Sequence, residues 1–279
     1  MLSTKIKILI ARIAQRFVCI FYSNTKNICV QRKGIRWNLD LNEGIDFSIF
    51  MFGYFERETV NALDRLINKG DTIIDIGANI GAHTLHMAQK TNDSGKVYAI
   101  EPTDYAFSKL TENTDNNPSL NKQISLRQVL LVEDDNNITE EIYSSWPLND
   151  VQDRHEVHCG VKKTISGAKK QRLDDFISSE KIDQVDLIKL DVDGNELQVI
   201  GGGKGLIKKF SPTFVMEFGP DQYEINEDFD EAVNLLLAMN YKFFSLNEKI
   251  QYPSDISLLR DIIPKNGSIN IVAKKDFIK

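Results

Sequence analysis

Short, continuous apolar runs alternate with amphipathic stretches through most of this chain. Thr72 to Ile76 is one such run, entering a glycine-rich turn, and Ala82 to Gln89 follows at helical spacing. Lys96 to Ile100 predicts a second strand halted by Pro102, and Phe107 to Asn113 a helix. Ile124 to Leu131 reads as a third strand and Asp186 to Val192 as a fourth, with a helical stretch from Glu196 to Lys209. Thr213 to Phe218 supplies a fifth strand, Phe229 to Met239 a helix, and Tyr241 to Leu246 and Ile269 to Ala273 two late strands. This alternation predicts a doubly wound α/β domain whose mostly parallel sheet carries helices on both faces. Ligands of such sheets bind beyond the carboxyl ends of the strands, where the strand order reverses.

Ahead of that pattern, Val60, Leu63, Leu66 and Ile67 predict a helix over Glu58 to Asn68, ended by Gly70. Residues 1–55 read as an N-terminal extension to the main domain, which spans 56–279. Within it Ile6, Leu9, Ile10, Ile13, Phe17 and Ile20 recur at helical spacing among Lys5, Lys7, Arg12 and Arg16; the remainder reads as irregular. The helix is read first as packed on its own domain or on a second subunit. A basic amphipathic helix over residues 5–20 also fits peripheral contact with a membrane surface. A second departure is the polar, weakly periodic segment 133–172, holding Trp146, His155 and His158, which reads as an insertion beside the substrate site.

Composition adds few constraints. Of 279 residues, 42% are hydrophobic and 27% charged, the balance of a globular domain. The net charge of −6 argues against a nucleic-acid partner. Cys19, Cys29 and Cys159 are too scattered for a disulfide framework or a zinc site, and are read as reduced thiols of a cytoplasmic protein. No stretch is apolar enough to cross a bilayer.

The chemistry concentrates at two strand ends. The first is Asp75-Ile76-Gly77-Ala78-Asn79-Ile80-Gly81, set between a strand and a helix. Such a loop offers backbone N–H groups and a helix N-terminus to a ligand. A dinucleotide fingerprint needs a central glycine at position 79 to admit a pyrophosphate, and Asn79 stands there. A nucleoside without phosphates suits Asp75 and Asn79 better, which points to S-adenosylmethionine rather than NAD. Glu101, closing the second strand, lies where a ribose-binding carboxylate belongs.

The second strand end is Lys189-Leu190-Asp191-Val192-Asp193-Gly194-Asn195-Glu196. Its acids superficially suit a calcium loop, but the glycine is misplaced and the twelfth position is Gly202, so a calcium hand is rejected; a different metal site stays open but has no His or Cys support nearby, and none is assigned.

The segment Thr72 to Leu85 resembles the first motif of the FkbM family of methyltransferases, and Lys96 to Pro102 (KVYAIEP) is similar to its second. Leu173-Asp174-Asp175-Phe176 and Val185 to Glu196 continue the resemblance, followed by Gly202 to Leu206 and Phe214 to Glu217, so that it covers roughly residues 53–275. It implies a class I, Rossmann-like methyltransferase fold with a seven-stranded sheet. It also implies an S-adenosylmethionine-dependent enzyme that methylates a hydroxyl oxygen of a sugar, glycolipid, polysaccharide or secondary metabolite. By matching position, Asp75, Gly77, Ala78, Asn79 and Gly81 would line the methionine end and Glu101 the ribose. Asp193 departs from the family's usual glutamate, one methylene shorter.

An alcohol becomes a good nucleophile only as a base takes its proton. Asp191 is the first candidate, at the strand end nearest the expected methyl group; a helix-capping role is the competing reading. Glu196, Glu217, His83 and His158 are alternatives. The rival functions are an NAD-dependent oxidoreductase and a non-catalytic nucleoside-binding protein.

Overall fold

The computed structural model describes residues 4–21, 25–134, 141–144, 147–148 and 160–275. The chain opens with helix α1 (Thr4–Cys19), strands β1 (Ile28–Arg32) and β2 (Ile35–Leu39), and helices α2 (Gly44–Phe52) and α3 (Arg57–Leu66). Then come β3 (Thr72–Ile76), α4 (Thr84–Thr91), β4 (Lys96–Ile100), α5 (Asp104–Asp115), α6 (Pro118–Asn121) and β5 (Ile124–Arg127). Short strands β6 (Val129–Leu131), β7 (Glu141–Ser144), β8 (Val161–Thr164) and β9 (Lys169–Gln171) lead to α7 (Leu173–Ser179). The last third holds β10 (Leu187–Leu190), α8 (Glu196–Gly202), α9 (Lys204–Phe210), β11 (Thr213–Phe218), α10 (Asn226–Ala238), β12 (Tyr241–Ser245), α11 (Ile256–Ile262) and β13 (Ile269–Lys275).

Seven strands form one sheet in the order β12-β13-β11-β10-β3-β4-β5, and β13 alone runs against the rest. This is the mostly parallel sheet expected of a class I methyltransferase fold. Alternate residues along each strand supply its two faces. Ile74, Ile188 and Phe214 enter one core, under α7 to α11; Ile73, Leu187 and Val215 enter the other, under α2, α4 and α5. The chain leaves β3 for β4 and β5 on one side and returns to β10 and β11 on the other. The order therefore reverses between β3 and β10, and their carboxyl ends bound the crevice.

Two expectations change. The stretch before Phe55, read as irregular, contains the β1–β2 hairpin and α2. Lys33 and Gly34, both at positive φ, make its two-residue turn. Trp37, Leu39 and Ile49 are buried in the same core as Ile73 and Val97, so residues 28–52 share the core of the main sheet. The stretch Ile124 to Leu131, read as one strand, is two: β5 stays in the main sheet, while β6 leaves to pair with β9. Gln128 marks the break, its Nε2 donating to Asp104 Oδ1 at 2.6 Å.

Within the segment read as an insertion, β7 and β8 form an antiparallel pair. Asp104 at the start of α5 accepts from Thr164, Ser166 and the Gly167 N–H, tying that segment to the sheet. Trp146, His155, His158 and Cys159 lie outside the described residues.

Candidate functional site

The crevice begins with the turn leaving β3. Gly77 takes φ +79°, and a Cβ placed there would lie 1.9 Å from the carbonyl oxygen of Asp191. Only glycine lets these two strand ends approach so closely. The N–H groups of Gly77 and Ala78 both donate to Ile100 O at 3.0 Å, and Gly81 N donates to Ala78 O at 2.9 Å. Asn79 sits at φ +49°, a conformation asparagine tolerates better than most residues. Its N–H donates to Glu101 Oε2 at 2.9 Å, and its own Oδ1 accepts from Ile80 N.

Asp75 and Glu101 differ in placement. Asp75 is fully buried beneath the turn, where its Oδ2 accepts from Thr84 Oγ1 at 2.6 Å. It therefore braces the turn and lines neither cleft described below. Glu101 reaches the crevice. Its Oε1 accepts from the N–H and hydroxyl of Thr103, at 2.9 and 2.5 Å. Burial raises its pKa, against the pull of these bonds.

Lys189 stitches the two strand ends together. It is 5% exposed, and its Nζ lies 3.2 Å from Gly77 O, 3.2 Å from Asp191 Oδ2 and 3.9 Å from Asp75 Oδ1. Burial opposes its charge, but the neighbouring carboxylates dominate and hold its pKa above the usual lysine range. Asp191 shows the reciprocal effect: burial pushes its pKa up, Lys189 pulls it down, and the pull wins.

Asp193 and Glu217 complete an acidic group. One oxygen from each of Asp191, Asp193 and Glu217 lies within 4.8 Å of the others, a geometry that could hold a metal ion, where the sequence reading assigned no metal site. The ammonium of Lys189 already rests against Asp191. Burial, then like charge from the other acids, pushes Asp193 and Glu217 well above the usual carboxylate range. Glu217 accepts from Gln222 Nε2 at 3.1 Å and from the Ser268 hydroxyl.

Glu196 stands apart from this group's surface. It is 1% exposed, lines neither cleft, and its Oε1 accepts from Val192 N at 3.3 Å. The structure thus places this candidate base in the loop's own scaffold, because the first turn of α8 turns its carboxylate back onto the preceding backbone.

Two clefts open on either side of the shared wall formed by Gly77, Asn79, Asp191 and Asp193. The larger, about 570 Å³ with its open mouth, is completed by Glu101, Leu130, Tyr143 and Asn195. The smaller, about 460 Å³, is completed by Ile45, Phe55, Ala82, His83 and Lys189. His83 is 4% exposed, and neither ring nitrogen makes a hydrogen bond, although Nε2 lies 3.8 Å from Glu56.

Sequence reading named the loop residues and the acids but not Ile45, Phe55 or Tyr143. These come from α2, the loop after it and β7, and nothing local marks them. Lys189 was visible within the motif, and its placement opposite Asp75 in the β10–β3 register was the missed signal.

Comparison with known proteins bears on the same residues. The Methyltransferase FkbM domain matches residues 75–243. A hexuronic acid methyltransferase, AglP, from Haloferax volcanii is 28% identical over 181 residues, covering 63% of this chain and 69% of that protein. "Methyltransferase 1" of Beauveria bassiana is 29% identical over 152 residues, 47% of this chain and 57% of that protein. A solved FkbM methyltransferase from Methylobacillus flagellatus superposes with a TM-score of 0.46 at 16% identity, covering 75% of this chain and 44% of the other. The chain thus spans about half the length of the last two. The matched span runs from the acid beneath the β3 turn to the edge of the sheet, through both strand ends that build the crevice, and the chain belongs to the FkbM methyltransferase family.

Proposed function

We propose that this protein transfers a methyl group from S-adenosylmethionine to a hydroxyl oxygen of a sugar. The carrying observation is the pair of clefts that meet at Asp191 and Asp193. Where the two clefts share these residues, an acceptor oxygen in one can meet a methyl carbon in the other in line, which direct transfer requires. The larger cleft suits a nucleoside: Glu101 offers a buried carboxylate, Leu130 and Val129 an apolar wall, and the acids a partner for a cationic tail. When bound, S-adenosylmethionine supplies an electrophilic methyl group on a sulfonium.

The smaller cleft is assigned to the acceptor. A base works best with a pKa near the working pH. Asp191, held low by Lys189, is a weak base and is suited to orienting the hydroxyl through a hydrogen bond. His83 has ring nitrogens without hydrogen bonds and lines the same cleft, so it is the group we assign to take the proton. A hexuronic acid, the substrate named for the Haloferax relative, is the acceptor class to try first.

The test is a labelled methyl-transfer assay on hexose and hexuronic acid glycans, with mass spectrometry of the product. A methyl ether is expected, with kcat lower by about 10²–10⁴ in His83→Ala. Undiminished turnover in that variant removes His83 from the role, and a methyl ester on the uronate carboxylate, or a methylated nitrogen or carbon, rejects the hydroxyl acceptor.

A further inference from the structure

Helix α1 presents two apolar faces. Ala11, Ala14 and Val18 pack against the core beneath α2, and Gln15, buried with them, donates to Asn42 Oδ1 at 3.2 Å. At about 100° per residue, Ile13 and Phe17 fall on the opposite side of the helix, and Ile20 follows in the turn just after its last residue. They are 51%, 66% and 74% exposed, and Phe21 just beyond is 85% exposed. A helix used only to cover its own domain needs no such outer stripe.

The helix α2, against which α1 packs, ends on a similar surface. Met51 and Phe52 are 42% and 60% exposed. The β1–β2 turn flanks them with cations: Arg32 Nε donates to Phe50 O at 2.8 Å, and the Lys33 side chain lies against Gly53.

Charge sets the kind of partner. No Asp or Glu precedes Asp40, whereas Lys5, Lys7, Arg12, Arg16, Arg32 and Lys33 all do. The rest of the chain is therefore more acidic than the overall −6. A protein partner would need an apolar, acidic face of its own, while an anionic bilayer offers both properties at one surface.

We propose that α1 and the C-terminal end of α2 form a basic, apolar surface that docks on an anionic lipid bilayer, with Phe17, Ile20 and Phe21 entering the interface. α2 also begins beside the smaller cleft, and Ile45 in that wall is only about 10 Å along the helix from Phe52. Docking would thus bring the acceptor cleft close to lipid and suit a lipid-linked acceptor. That consequence rests on the methyl-transfer reading, whereas vesicle binding does not.

The experiment is flotation of the full chain with phosphatidylcholine vesicles, with and without phosphatidylglycerol. Binding is expected only with the anionic lipid, and it should weaken with salt. Phe17→Ser with Phe21→Ser should lower binding at least about tenfold, and Arg16→Glu roughly tenfold, without change in thermal melting. Absent binding, equal binding to neutral vesicles, or binding untouched by these changes overturns the proposal. So does a dimer, seen by light scattering, that the phenylalanine substitutions dissolve.

Discussion

The two strand ends that meet in the crevice are built on opposite principles. The turn after β3 is held through its own N–H groups: Gly77 and Ala78 donate to Ile100 O, and Asn79 to the Glu101 carboxylate. It is closely packed, with Gly77 pressed against the Asp191 carbonyl. The ends of β10 and β11 instead gather Asp191, Asp193 and Glu217, with the buried ammonium of Lys189 against Asp191 and the other two acids driven toward protonation. One side fits a ligand by shape; the other holds unfavourable charge where a cationic ligand would relieve it. Strain of that second kind is characteristic of reactive sites.

The sharpest way to break the first side is Gly77→Ala. Its Cβ would sit 1.9 Å from Asp191 O, between two backbones that have no flexible end to move. The expected loss is about 3 kcal/mol or more of stability, together with S-adenosylmethionine binding, read by urea unfolding and calorimetry. A folded variant that binds normally would show that the two strand ends need not touch.

Lys189→Met tests the link between the sides. It leaves Asp75 and Asp191 facing each other without their buried cation. Removing one partner of a buried ion pair costs about 3–5 kcal/mol, and the destabilisation should shrink at acid pH as the carboxylates protonate.

Glu217→Gln should move stability the other way. Because its folded pKa is raised, the unfolded chain releases the proton first, and wild-type stability falls as pH rises above the ordinary carboxylate range. The amide removes that penalty. A gain of about 2–3 °C in melting temperature is expected near pH 8, vanishing near pH 4, where both forms of the acid are protonated. A loss at pH 8 would mean that the carboxylate is stabilising there.

The same contrast governs what the sequence made legible. The β3 side is local: β3 and β4 were delimited to the residue by hydropathy, and the glycines and asparagine of the turn fall within Gly77 to Gly81. The β10 motif was equally visible, but its acids could not be sorted, since Glu196 and Asp193 differ only in which way the loop turns them. The smaller cleft was invisible for another reason. Ile45 and Phe55 reach it from α2 and the loop beyond, and α2 is too uniformly apolar to show a helical period. The break at Gln128 was hidden because Ile124 and Leu126 alternate with polar residues as a half-buried strand does, and Val129 to Leu131 reads as its continuation.

The central claim is that nucleoside and acceptor occupy separate clefts joined at Asp191. Calorimetric titration of S-adenosylmethionine and of NAD into the wild type and His83→Ala tests it most directly. The expected result is S-adenosylmethionine binding that the substitution changes by less than about threefold, since His83 lines only the smaller cleft, with no heat from NAD. Selective NAD binding, or loss of S-adenosylmethionine binding in His83→Ala, would contradict it.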